Sequence, residues 1–170
     1  WALKFVFGLL IDRYTFLAMG RRRAWILSAQ LGVIFALLLG ATLNPAPEQI
    51  LLLSALAFAI QVCTSLHDVA VDGLAVDLLA HNERSKISAW MFGGQALGNA
   101  VAAIAGGLII TQSGVGTAFA VLAAWFSGML VAMTYMQERA GERRFPWTSG
   151  QADLRTMAAH NSDWRSVLTV

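Results

Sequence analysis

The feature that most constrains this chain is its succession of long apolar runs cut by short polar breaks. Runs at 24–43, 50–79, 87–110 and 117–136 are each long enough to cross a hydrocarbon core, which takes about 20 residues of helix. A further run at 1–16 has the same character but is cut short by the first residue. None shows the two-residue alternation of a half-buried strand, and a segment in lipid must satisfy its own backbone hydrogen bonds. The runs therefore predict an all-α, polytopic transmembrane helical bundle, with the lipid bilayer as its first partner. Composition agrees: 57% of the 170 residues are hydrophobic, 13% are charged and the mean hydropathy is +0.60, outside the balance of a soluble domain. The net charge is only +2, and the basic residues sit in short clusters between apolar runs, which argues against nucleic acid as a partner. The single cysteine, Cys63, lies inside an apolar run and reads as a small packing residue rather than half of a disulfide. The chain is already apolar at Trp1 and has no initiating methionine, so it reads as truncated at both ends.

The breaks divide into two kinds. Asn44-Pro45-Ala46-Pro47, and Gln112-Ser113-Gly114 with Gly116, carry turn chemistry, and the connections 44–49 and 111–116 contain no Lys or Arg. The alternate connections hold Arg21, Arg22 and Arg23, then Arg84 and Lys86, then Arg139, Arg143 and Arg144. Lys and Arg accumulate on the cytoplasmic side, so the arginine-rich connections are predicted to face inward. Residues 1–136 thus form a five-helix unit. From 137 to 170 the sequence turns polar and reads as a cytoplasmic linker, with 163–168 starting the next element.

A charge facing lipid is expensive, so intramembrane ionisable residues usually face the bundle interior or a water-filled cavity. Lys4, His67, Asp68 and Asp72 are such residues. Asp68 and Asp72 are four apart and share a helix face, whereas Asp77, nine from Asp68, falls about half a turn round the axis. Depth follows by counting. Lys4 precedes Asp12 by eight residues and Asp68 precedes Asp77 by nine, about 12 Å and about 14 Å of helix. The two helices run in the same direction, so Lys4 and Asp68 lie at similar depth and an ion pair between them is feasible. A second reading stays open, in which the run at 50–79, about 45 Å long if fully helical, extends into the cytoplasm and leaves Asp72 and Asp77 wet. His67 either titrates near neutral pH or hydrogen-bonds a neighbouring helix. On the fourth run Gln95 and Asn99 either line the cavity or bond across helices. The small residues Gly94, Gly98, Ala102 and Gly106 recur at steps of four and predict close helix packing. Trp90, Trp125 and Tyr135 read as interface or core aromatics.

Gly8-Leu9-Leu10-Ile11-Asp12-Arg13 followed by Gly20-Arg21-Arg22-Arg23 resembles the loop joining the second and third helices of the major facilitator superfamily. That resemblance implies a gate latch. Gly8 would let two helices approach, Asp12 would cap a helix across a pseudo-symmetric interface, and the arginines would tie the gate to a fourth-helix carboxylate, the position of Asp77. The plainer alternative is that Arg21, Arg22 and Arg23 are topology anchors. The wide gap between Asp12-Arg13 and Gly20, with Leu3-Lys4-Phe5 and the segment His67-Asp68-Val69-Ala70-Val71-Asp72-Gly73, is similar to the branch of AmpG-type muropeptide permeases and acetyl-coenzyme A transporters. His67 stands where that branch has glutamine, and Ala96 where the muropeptide permeases carry arginine.

The resemblance covers nearly the whole chain as helices two to six of twelve. It implies secondary active transport by alternating access, with proton-coupled uptake of a polar small molecule, such as a muropeptide or an acyl-coenzyme A, across a bacterial inner membrane. Asp68 would be the coupling group and Lys4 its partner. Two other classes compete. Asp68-x3-Asp72-Gly73 superficially resembles the metal-binding aspartates of CDP-alcohol transferases, but the tighter first spacing, the Ala-Arg pair and the second aspartate pair of that motif are lacking. A metal held by two carboxylates alone is also weakly bound, and neither a metal nor a cofactor is expected. The third class is a non-transporting sensor on the same fold.

Overall fold

The computed structural model describes residues 2–14, 19–20, 22–78, 84–136, 143–145, 147–148 and 150; the segment 163–168 lies outside them. Among the described residues there are five helices and no strand: α1 Ala2–Arg13, α2 Arg23–Leu43, α3 Ile50–Leu78, α4 Arg84–Ser113 and α5 Val115–Tyr135. The last four are long and apolar enough to cross a membrane. With 12 residues, α1 is shorter than a span.

Local chemistry sets the ends. Asn44 adopts a left-handed conformation at φ 41°, and its N–H returns to the Gly40 carbonyl, closing α2 in the manner of an αL cap. Pro45 and Pro47 follow and cannot continue the helix. By contrast α4 runs through Thr111 to Ser113, where the sequence predicts a turn. The Thr111 hydroxyl donates back to the carbonyls of Gly107 and Leu108 at 3.1 and 3.0 Å, so its polarity is absorbed within the helix. Only Gly114, at φ 85°, ends it.

The centre of the bundle is α2, which packs most extensively on α5 and α3; α1 lies on α3, and α4 leans on α5 while touching α3 lightly. The α2–α5 pair is antiparallel, with Arg23 level with Thr134, Gln30 with Phe126 and Asn44 with Gly116. The α1–α3 pair is parallel, with Lys4 beside Asp68 at one level. Ile11, Ile26 and Ala70 form a buried cluster where α1, α2 and α3 meet, and Val33, Leu37 and Ala123 form a second between α2 and α5.

Glycines on α2 set these separations. A Cβ on Gly32 would fall 2.8 Å from the Cys63 Sγ, and one on Gly40 would fall 2.9 Å from the Phe119 ring. The small-residue stripe of α4 is different: apart from the adjoining residues and backbone of α4 itself, no described atom lies within 4 Å of the Cβ positions of Gly94, Gly98 or Gly106. The packing expected of that stripe is therefore not made among the described residues, because α4 meets α5 without using it. Trp90, Trp125 and Tyr135 likewise stand exposed rather than in a core.

Candidate functional site

Two ionic assemblies lie on α3, half a turn and nine residues apart. In the first, Gly20 at φ 97° turns the chain, a conformation that disfavours any residue with a Cβ. Arg22 then sits at the N-cap of α2. Its Nε donates to Asp77 Oδ2 at 2.9 Å, and its Nη2 donates to Asp12 Oδ1 at 3.1 Å. The Arg22 and Asp77 side chains are 10% and 15% exposed, whereas Asp12 is 51% exposed. The guanidinium lies directly against Gly73, where any Cβ would overlap it. Arg22 thus joins the ends of α1 and α3 to the start of α2, and Asp77 is held inside this node rather than left wet.

The neighbouring arginines do other things. Arg23 is buried and donates through Nη2 to the Thr134 carbonyl at 2.9 Å and through Nη1 to the Arg143 carbonyl at 3.1 Å. It therefore satisfies an orphan carbonyl at the C-terminus of α5, where a cation is favourable. Arg13 is exposed, with its guanidinium 5.9 Å from the centre of the Tyr14 ring. Arg21 lies outside the described residues. Apart from the adjoining residues and backbone of α1 itself, no described atom comes within 4 Å of a Cβ built on Gly8, so the close approach expected there occurs at Gly73 instead.

The second assembly is a pair at the edge of a cavity. Lys4 Nζ donates to Asp68 Oδ2 at 3.4 Å, with the two side chains 36% and 33% exposed. The cavity beside it has a volume of about 440 Å³. His67, Asp68 and Asp72 of α3 and Gln95 of α4 give it polar groups; Val71 and Ala75 of α3 with Ile87, Met91 and Phe92 of α4 give it apolar walls. Asn99 does not line it and stands exposed.

Sequence reasoning missed several polar contacts. Which of three consecutive arginines would enter the node depends on helix rotation, and nothing in the order Arg21-Arg22-Arg23 encodes it. Gln30 did carry a signal, being a lone amide in an apolar run. It is fully buried, and its Nε2 donates to the Phe126 carbonyl at 3.4 Å. Asn44 also acts across helices: its Oδ1 accepts from the Gly116 N–H at 3.0 Å, capping the start of α5.

A family model for the Major Facilitator Superfamily matches residues 1–169. The chain belongs to the major facilitator superfamily. Two curated relatives, the anhydromuropeptide permeases of Escherichia coli strain K12 and of Escherichia coli O157:H7, are each 29% identical to it over 177 aligned positions that include the whole of this chain. The chain spans 35% of the length of these relatives. No solved structure matches it. Superfamily membership and the four apolar helices make this an integral membrane protein.

Proposed function

We propose that the chain is part of a secondary transporter that carries a solute of the anhydromuropeptide class across the bacterial inner membrane, by alternating access and coupled to protons. The observation that carries this reading is the Lys4–Asp68 pair opening on a cavity between α1, α3 and α4 that is mostly apolar with a few polar groups. A carboxylate at membrane depth is stable when paired or protonated and costly otherwise. Exchange of the lysine partner for a proton is therefore an inexpensive step on which coupling can be built. Of the two solute classes that the branch implies, the anhydromuropeptide is the one named in the relatives aligned along the whole chain. Superfamily membership favours transport over membrane-enzyme chemistry.

In this proposal the Arg22 node is the gate latch, with Asp12 and Asp77 as its anions and Gly8, Arg13, Gly20, Arg21 and Arg23 in its framework, on the cytoplasmic side. Two states of such a transporter differ in which end of the bundle is closed, and an ion-pair node at one end biases that balance.

The test uses the full-length protein in proteoliposomes, with labelled anhydromuropeptide and an imposed proton gradient. The native protein accumulates the solute against its gradient. Asp68→Asn should exchange solute across the membrane yet fail to accumulate it. Accumulation by Asp68→Asn with a proton gradient as the only energy source would remove Asp68 from the coupling role.

A further inference from the structure

The cavity contains one carboxylate that the coupling pair leaves without a hydrogen bond or ion pair among the described residues. Asp68 is met by Lys4 at 3.4 Å, but Asp72, one turn along the same face of α3, makes no hydrogen bond or ion pair among the described residues. One ammonium therefore faces two carboxylates, and with His67 neutral the lining is one charge negative. Arg22 is engaged by Asp77 and Asp12 on the far side of α3. Opposite Asp72, α4 presents only Ile87, Met91 and Phe92 with the uncharged polar groups of Ser88 and Gln95. None of these described α4 lining residues carries a positive charge.

We propose that Asp72 is the recognition carboxylate of the cavity, binding a free ammonium group on the transported solute, so that amine-bearing solutes are selected over their N-acylated forms. This rests on the transport reading above and divides the two acids of the cavity between different tasks. Asp68 exchanges its lysine for a proton, while Asp72 reads the solute. Asp72 is exposed to the cavity, with the mostly apolar α4 wall on its other side, and it gains a short, charge-assisted hydrogen bond when an ammonium arrives. An N-acylated solute occupies the same space but leaves the carboxylate unpaired and less hydrated, which is unfavourable. The site thereby discriminates through what it leaves unsatisfied when the wrong solute enters.

The experiment uses the full-length protein and two probes, an anhydromuropeptide whose stem peptide carries a free side-chain amine and the same molecule N-acetylated at that amine. Binding to the purified protein is measured by calorimetry, and competition for uptake is measured in proteoliposomes. The native protein should prefer the free amine by at least about tenfold, the discrimination expected for one hydrogen bond to a charged group. Asp72→Asn should collapse that ratio toward one, and Asp72→Glu should restore most of it. Asp72→Ser serves as a second neutral variant should the asparagine protein fold poorly. A native protein without preference, or a preference that survives in both neutral variants, overturns the proposal. So does loss of proton-driven accumulation of both probes in Asp72→Asn with the preference intact, which would make Asp72 a proton carrier. If Asp68→Asn accumulates solute, only the coupling reading falls, because the amine preference is read from binding alone.

Discussion

The two ionic assemblies on α3 use the same charges in opposite ways. At the Arg22 node a planar guanidinium, its side chain 10% exposed, bonds two carboxylates at 2.9 and 3.1 Å, so that three different parts of the chain meet. At the cavity a single ammonium reaches one carboxylate at 3.4 Å, and about a third of each side chain is exposed. The arginine fork can satisfy two acids at once, whereas a lysine is a flexible point charge. Breaking a buried pair strands the remaining charge, while partly exposed pairs contribute little. The first assembly is therefore built to hold and the second to let go.

That contrast can be broken by mutation, most severely at the node. Arg22→Ala should destabilise the full-length protein by about 3–5 kcal/mol, because Asp77 is left buried without a partner. Arg22→Lys should recover only part of this, since one ammonium cannot reproduce the bridge to Asp12 and Asp77. Denaturation in detergent micelles measures both, and an Arg22→Ala loss below about 1 kcal/mol would mean that the node is merely an exposed pair. Gly73→Ala comes next. The added methyl displaces the guanidinium and should cost about 1–3 kcal/mol, as overpacking does. In an Arg22→Ala background that cost should vanish, and a cycle of the four proteins reports the coupling directly; equal costs in both backgrounds would place the clash elsewhere. The smallest effect belongs to the cavity: Lys4→Gln should change stability by less than about 1 kcal/mol. A loss at Lys4 matching that at Arg22 would erase the distinction between the two assemblies.

Much of this was legible in the sequence, for identifiable reasons. Hydrophobic run length located the helices because lipid demands continuous apolar surface, and helix rise placed Lys4 level with Asp68 because α1 and α3 are parallel. Rotation was less accessible. Arg22 rather than its neighbour Arg23 faces Asp77, and Gly73 rather than Gly8 provides the close approach, because these outcomes depend on how each helix turns about its own axis after Gly20. The stripe Gly94, Gly98, Ala102 and Gly106 satisfied a real packing pattern, yet α4 meets its neighbours elsewhere. A periodicity reveals a face without saying what covers it. Asn44 was hidden by its setting, since an Asn-Pro turn explains itself locally and gives no hint of a bond to Gly116.

The ties between α2 and α5 have a mechanical consequence. Arg23 to Thr134, Gln30 to Phe126 and Asn44 to Gly116 fasten the pair near both ends and in the middle, along a helix of 21 residues, or about 30 Å. Two rods pinned at three points behave as a single beam, which resists both sliding and splaying. By comparison α4, which leans on this beam and only brushes α3, is a cantilever. Since α4 forms one wall of the cavity, that wall is carried chiefly by α5 and only lightly by α3.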